Sequence, residues 1–481
     1  MSDTLGVDTY QLTTLVAHAD AGRLEQELAM AFFFRKLPRE RNFVIFCGLR
    51  QVLEHAADMS FSSEDLATLS GHPLLGPAIA ARPALLRALR DLDGFQGTID
   101  ALPEGTLAFA GPGLREDGAP FTVLGTRVTL YTPFLQAQTG MLEAKLIETP
   151  WLSSINHASM VASKAARIVL AAGGKPVLEF GQRRTHPDEA VDASYAAWIA
   201  GCAATSNVRA SQRWGVPAQG TMDHFMVQAA EQPGVATDVS ERAAFAAFAQ
   251  AFPTASTLLV DTYDTLRGIR NAVAATNGQL AGIRLDSAVT PELIHKSRAL
   301  LDSLGAPRAQ IFVSDGLDER RVAELAAAGA DGFGVGENIT CVPDAATGVG
   351  AVAKVIVNGY GRITMKLARG SGKATLPGFL QVYRSSDHDL IATAEEPPPS
   401  SGRALLEPVW RDRSAVGPGR EPASAVRARV AAQLAELPAH LRGLDVNHGQ
   451  PWPLVVSDAL AARIDQCVRQ AQLEPEEVTR P

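Results

Sequence analysis

STLLVDTYDTLRGIRNAVAATNGQLAGIRLDS, residues 256–287, decides the fold. It begins with an apolar run, Leu258–Val260, that ends in Asp261 and Thr262. A helical segment, Asp264–Ala275, follows, and a second apolar run, Ile283–Leu285, ends in Asp286 and Ser287. Two short buried strands joined by a helix make a parallel pair, because a parallel neighbour is reached only through a crossover. The rhythm continues in both directions. Upstream stand a helix at Ser153–Ala172, the strand Pro176–Gly181, a helix at Asp188–Gly201, ATSNV (204–208), VPAQGT (216–221) and a helix at Ser240–Ala251. Downstream stand a helix at Pro291–Leu304, QIFVSDGLD (310–318), a helix at Leu317–Ala328 and GFGVGEN (332–338). About seven strands with helices between them predict an α/β fold, most naturally a closed (β/α) barrel, with an open doubly wound sheet as the alternative.

The flanks follow other rules. Residues 1–145 are mixed α and β: a helix at Asp8–Ala21, strands at Leu28–Leu37 and Phe43–Leu49, and shorter strands at Gly105–Ala110 and Phe121–Tyr131, punctuated by Gly and Pro. Residues 146–345 hold the strand–helix repeats, and 346–393 contain a strand–loop–strand at Arg362–Arg384. In 394–481, EEPPPSSGR (395–403) reads as a linker and Ala423–Leu437 as an amphipathic helix, giving a linker with a helical tail. A chain of 481 residues exceeds one ordinary domain. Its net charge of −8 argues against a general nucleic-acid or anionic-membrane surface, so phosphate must be held by local groups. Cys47, Cys202, Cys341 and Cys467 are too scattered for a disulfide framework or structural zinc. With no signal-like start and no membrane-length apolar run, a cytoplasmic enzyme is expected.

Each central strand is apolar and then ends in groups that bind or react: Glu179 with Arg183 and Arg184; Ser206 and Asn207; Thr221, Asp223 and His224; Asp261 and Thr262; Arg284, Asp286 and Ser287; Ser314, Asp315 and Gly316; Gly334 and Gly336. In a parallel barrel these ends share one face, where barrel active sites lie. One polar strand end is only a turn, but seven rich in Arg, Asp, His and Gly point to a site. Gly334 and Gly336 let backbone N–H groups approach an anion. Asp261 and Asp286 suit ribose hydroxyls or Mg²⁺. Arg183, Arg184 and Arg284 suit a carboxylate or a phosphate. His224 is a lone histidine at a strand end; such residues are usually structural, but its imidazole is a nucleophile able to accept a phosphoryl group.

These stretches also resemble the nicotinate phosphoribosyltransferase family, in order and almost end to end. The resemblance is carried by DTYQLT (8–13), FFRKLP (33–38), SKAAR (163–167), EFGQRR (179–184), TSNV (205–208), GTMDHF (220–225), VDTYDT (260–265), IRLDS (283–287), GFGVG (332–336), KATLPG (373–378) and ELPAHLRGL (436–444). It implies an irregular (β/α) barrel plus an α/β sandwich-like domain of N-terminal and C-terminal segments, with 346–393 returning to the N-terminal domain. It implies a homodimer with shared active sites. By position, His224 matches a histidine phosphorylated by ATP. Tyr10, Thr221 and Arg284 match nicotinate contacts, and Thr375 lies on the phosphoribosyl pyrophosphate side. Asp286 matches a ribose-side carboxylate, and Ser314 with the Gly334/Gly336 loop the 5′-phosphate seat, beside Gly316. The implied substrates are nicotinate, phosphoribosyl pyrophosphate and ATP, with Mg²⁺.

The chain departs from the family's pattern in three places. Ala288-Val289 stands where Gly-Asp is usual, Ala368 where a hydroxyl residue is common, and Glu337 where a small or hydroxyl residue is more usual. Rival readings are a nicotinamide or quinolinate phosphoribosyltransferase, and a non-catalytic nucleotide-binding paralogue. Retention of His224, Arg284, Asp286 and Thr375 argues against the last.

Overall fold

The computed structural model describes residues 4–34, 37–38, 41–345, 348–367, 375–446 and 449–477, with side chains to 471. The departure at Ala368 and the start of KATLPG, Lys373 and Ala374, lie outside the described residues. The chain divides into two compact units, 1–160 with 347–481, and 161–346.

The first unit is built on two six-stranded sheets. In one, Glu27–Phe34 pairs antiparallel with Leu135–Gly140 on one side and Ala351–Val357 on the other. Seven of its eight residues are buried, as its unbroken apolar sequence requires of a strand covered on both faces. The second sheet joins Leu380–Arg384 and Asp389–Thr393 to Leu454–Val456, Ala110–Arg115 and Thr129–Tyr131. The segment expected to be a linker and helical tail therefore carries strands, at Arg403–Ala404, Glu407–Arg411, Ser414–Ala415 and Leu454–Val456, besides the helix Ala423–Glu436. They are two to five residues long, too short for alternation to reveal them. The strand expected over Phe43–Leu49 shrinks to Val44–Ile45. Gly48 ends it at φ +103, where an added Cβ would lie 2.7 Å from the Ser154 carbonyl oxygen, and Leu49 opens a helix. The helix expected from Ser153 begins at Met141 and runs through Pro150 to Ala171.

The second unit is a six-stranded, all-parallel sheet. Its strands are β1 (Val177–Glu179), β2 (Ala204–Thr205), β3 (Thr257–Leu259), β4 (Gly282–Leu285), β5 (Gln310–Val313) and β6 (Gly332–Val335), in the order β2-β1-β6-β5-β4-β3. The seventh expected strand, 216–221, is a correction: it touches β2 only through an isolated Thr205–Ala218 bridge. Pro217 has no N–H to offer a ladder, which limits the pairing. The helices are α1 (Pro187–Ile199), α2 (Val208–Trp214), α3 (His224–Ala229), α4 (Thr237–Ala251), α5 (Thr265–Thr276), α6 (Pro291–Ser303), α7 (Glu319–Ala327) and α8 (Glu337–Thr340). Side-chain caps fix where five of them start. Asn207, Asp223, Asp264, Thr290 and Asp318 each accept the N–H three residues on. Glu319 is buried at the head of α7, where Lys164 Nζ donates to it at 2.5 Å and Arg167 Nε at 3.1 Å. Burial would raise that carboxyl's pKa, but the bond and charge of Lys164 win and hold it below its ordinary value.

Candidate active site

At the C-terminal ends of these strands opens a cavity of about 720 Å³. Among the residues lining it are Arg183, Arg184, Thr221, Arg284, Asp286, Ser314, Gly316, Gly334 and Gly336, contributed by five separate segments of the chain. The polar strand ends thus separate into two groups. Asn207 and Asp223 spend their side chains capping helices, and Glu179 is an internal brace. The Glu179 carboxylate is fully buried and accepts from the Gly181 N–H, from Ser194 Oγ at 2.9 Å and from Thr205 Oγ1 at 2.6 Å. Burial raises its pKa, against those hydrogen bonds. It fixes the turn that carries Arg183 and Arg184.

Arg284 projects from β4 and donates through Nη1 to Thr221 Oγ1 at 2.5 Å. Its Nε is buried with no hydrogen-bond partner among the described residues. Burial lowers its pKa, while Asp286, Asp261 and Asp223 pull it back up; a guanidinium nonetheless stays charged. Asp286 sits at the centre of a polar relay. Its Oδ1 accepts from Ser314 Oγ at 2.7 Å, and its Oδ2 lies 3.6 Å from His224 Nε2. Its N–H donates to Asp261 Oδ2 at 2.6 Å. The other oxygen of Asp261 is buried and has no partner among the described residues, and burial raises this carboxyl's pKa. His224, the first residue of α3, meets the cavity through Asp286, and its Nδ1 lies 3.1 Å from Thr262 Oγ1.

The glycine wall is bare for a steric reason. A Cβ on Gly334 would fall 2.5 Å from the Phe180 ring, so β6 can pass behind that ring only without a side chain. Gly316 turns at φ +54, a left-handed conformation that a side chain would strain. Tyr10 and Thr375 belong to the first unit. The Tyr10 ring is 52% exposed, with Lys145 Nζ 5.7 Å from its centroid, and Thr375 is buried, its hydroxyl accepting the Lys366 N–H at 2.7 Å. Sequence reasoning missed the cavity's apolar wall, Met222, Met226, Phe248 and Phe252. The signal was the i, i+4 pair Phe248–Phe252, whose rings lie 5.1 Å apart although Phe252 is 54% exposed. Of the departures, Ala288 takes φ +48, where glycine would be unstrained, and Val289 is buried with its N–H donating to Asp315 Oδ2 at 3.0 Å.

A parallel α/β unit with an anion-ready cavity at its strand ends defines the class: a barrel-type enzyme for small phosphorylated substrates. Comparison with known proteins narrows it. Residues 5–156 match the nicotinate phosphoribosyltransferase (NAPRTase) N-terminal domain, and residues 161–345 the quinolinate phosphoribosyl transferase C-terminal domain. The chain is 35% identical over 471 residues to the nicotinate phosphoribosyltransferase pncB2 of Mycobacterium tuberculosis, covering 96% of this chain and 93% of that one. It is 32% identical to the nicotinate phosphoribosyltransferase of Homo sapiens over 84% of this chain and 81% of that one. The crystal structure of human nicotinic acid phosphoribosyltransferase superposes with a TM-score of 0.76 at 26% identity, covering 96% of this chain and 99% of that one. A nicotinate-nucleotide pyrophosphorylase from Pyrococcus furiosus shares the fold, with a TM-score of 0.67 at 23% identity over 90% and 96% of the two chains. The chain belongs to the nicotinate phosphoribosyltransferase family. Among the described residues, no helix is long and apolar enough to cross a membrane.

Proposed function

We propose that the chain joins nicotinate to phosphoribosyl pyrophosphate, giving nicotinate mononucleotide and pyrophosphate in NAD salvage, with ATP hydrolysed through a phosphohistidine at residue 224. One observation carries this reading. A charged guanidinium with an unspent buried nitrogen stands beside a carboxylate–hydroxyl relay, in the same cavity as a wall of bare backbone. Leaving a buried charged donor unmade is costly, and a substrate carboxylate satisfies it.

In this assignment Arg284 and Thr221 hold the carboxylate and ring of nicotinate. Ser314, Gly316, Gly334 and Gly336 seat the 5′-phosphate, and Asp286 receives the ribose hydroxyls. Arg183 and Arg184 face the phosphate groups. The ring nitrogen's lone pair forms the bond to ribose C1 as the bond from C1 to the pyrophosphate oxygen breaks, and both electrons leave with pyrophosphate. The nucleophile brings its own electrons, so the protein positions and stabilises rather than activating it. Asp261 and Asp286 fit Mg²⁺: both offer hard oxygen donors, and Asp261 Oδ1 is buried with no partner among the described residues. An ion held by these two carboxylates would supply positive charge for a pyrophosphate leaving group.

His224 presents Nδ1 to Thr262 Oγ1 and Nε2 to Asp286 Oδ2, and the ring nitrogen that is unprotonated in the neutral imidazole attacks the terminal phosphorus of ATP as ADP departs. The added charge of about −1.5 to −2 beside Asp286 rearranges the relay until hydrolysis resets it. Tyr10 and Thr375 complete the nicotinate and phosphoribosyl sides from the second copy of a homodimer.

The test incubates purified protein with phosphoribosyl pyrophosphate, Mg²⁺ and nicotinate, nicotinamide or quinolinate, with and without ATP. The expected product is nicotinate mononucleotide, formed faster with ATP, together with an acid-labile protein phosphate that His224→Ala abolishes. Turnover of nicotinamide or quinolinate in preference to nicotinate overturns the assignment.

A further inference from the structure

Two connections that meet in the cavity wall, the turn at Gln182–Arg184 and the helix α8, are tied to each other at three points. Thr340 Oγ1 donates to the Gly181 carbonyl at 3.5 Å, and Cys341 Sγ donates to the Arg184 carbonyl at 3.1 Å. The third tie differs in kind: Arg184 Nε lies 3.5 Å from Glu337 Oε2. The first two fix backbone. Gly181 is packed so closely that a Cβ would sit 2.2 Å from Thr340 Cγ2. The third joins two side chains that are 50% and 52% exposed, and both residues line the cavity. Such an exposed pair is weakly held and exchanges partners readily.

Glu337 is the residue immediately after Gly336, at the head of α8. A carboxylate in a wall that also carries Arg183 and Arg184 opposes an anionic ligand, and it engages one of those two arginines. We propose that Glu337 is a specificity-determining residue that holds Arg184 away from phosphorylated ligands, so that a diphosphate binds by displacing the Glu337 carboxylate from the guanidinium. The partner exchanged for the carboxylate is the ligand's own phosphate, a stronger bidentate match to the guanidinium fork. Glu337 thereby sets a threshold: a ligand must carry enough charge to take Arg184 over. The identity of the natural diphosphate, phosphoribosyl pyrophosphate, rests on the function proposed above; the exchange itself does not.

The experiment is calorimetric titration of the full-length protein with inorganic pyrophosphate in the presence of Mg²⁺, for wild type, E337Q, E337T, R184A and the double variant R184A/E337Q. Melting curves establish that each variant is folded, and the two replacements at 337 guard against one that is not. E337Q and E337T are expected to bind pyrophosphate about two- to fivefold tighter, the scale of one displaced exposed ion pair. The gain is expected to vanish in the R184A background, since there is no guanidinium left to release. Unchanged or weaker binding in both 337 variants overturns the proposal. So does an equal gain with and without Arg184, which reduces Glu337 to simple repulsion. Turnover assays separate this from the function: tighter pyrophosphate binding without turnover of any pyridine sinks the activity and leaves the exchange standing, whereas nicotinate turnover without the binding gain does the reverse.

Discussion

Arg284 keeps its charge at every pH the protein meets, yet its buried Nε has no partner among the described residues. Its replacement by lysine keeps the charge and loses the fork. Arg284→Lys is expected to raise the KM for nicotinate by about tenfold or more, the cost of a lost bidentate match. Arg209→Ala, which breaks only an exposed pair with Asp188, leaves that KM unchanged; steady-state kinetics on the two variants check the contrast. Asp261 supplies a pH test. Burial raises its folded-state pKa above the ordinary carboxylate value of 3.8. The folded protein therefore holds this proton when the unfolded chain has released it, and stability falls as pH rises from 3.8 through the raised value. Asp261→Asn keeps an acceptor for the Asp286 N–H without the charge. The difference in melting temperature, variant minus wild type, should grow as pH rises through that window; a flat difference refutes it. Residue type alone revealed Arg284, Asp286 and His224 as candidates, because charge at a strand end is visible in sequence. That Asp223 and Asn207 serve as helix caps was not, since a cap and a ligand call for the same short polar side chains.

At the level of elements, the strand–helix rhythm from 176 onward was legible because the turns before α2, α5, α6 and α7 close on a side-chain cap and each strand is a compact apolar block. Removing such a cap has a calculable cost. Asp264→Ala, which loses the bond to the Arg267 N–H, is expected to destabilise the protein by about 1 kcal/mol, measurable by denaturant unfolding. Asp318→Ala costs about the same and also loosens the Ser314–Leu317 connection, so it alone should raise the KM for phosphoribosyl pyrophosphate. Where the rhythm misled, backbone chemistry explains it. Residues 216–221 are polar and short like their neighbours, but proline at 217 denies them a ladder. The helix that begins at Met141 was hidden by Pro150, normally a helix breaker worth about 3 kcal/mol. The strands Glu407–Arg411 and Leu454–Val456 were invisible because their partners, Thr98–Ala101 and Ala110–Arg115, stand far upstream in the chain.

For the molecule as a whole, the proposal of shared sites makes a quantitative demand. If Tyr10 from one copy serves the His224 site of another, Tyr10→Ala and His224→Ala are each inactive alone. Subunits of the two variants, mixed and reassembled, should regain roughly one quarter of wild-type activity, because half the random dimers are mixed and each has one intact site. Sites made within a single chain regain nothing. Sedimentation of the wild type should give twice the chain mass.

The interleaving of the first unit also has a temporal consequence. The strand Glu27–Phe34 emerges from the ribosome early, but one of its two neighbours, Ala351–Val357, is made about 300 residues later. At about 5–20 residues per second, that apolar edge stands open for roughly 15–60 s during every round of translation. Unpaired edges of this kind recruit other strands. The nascent chain therefore depends on chaperone protection through that window, and truncations that end before residue 351 should precipitate.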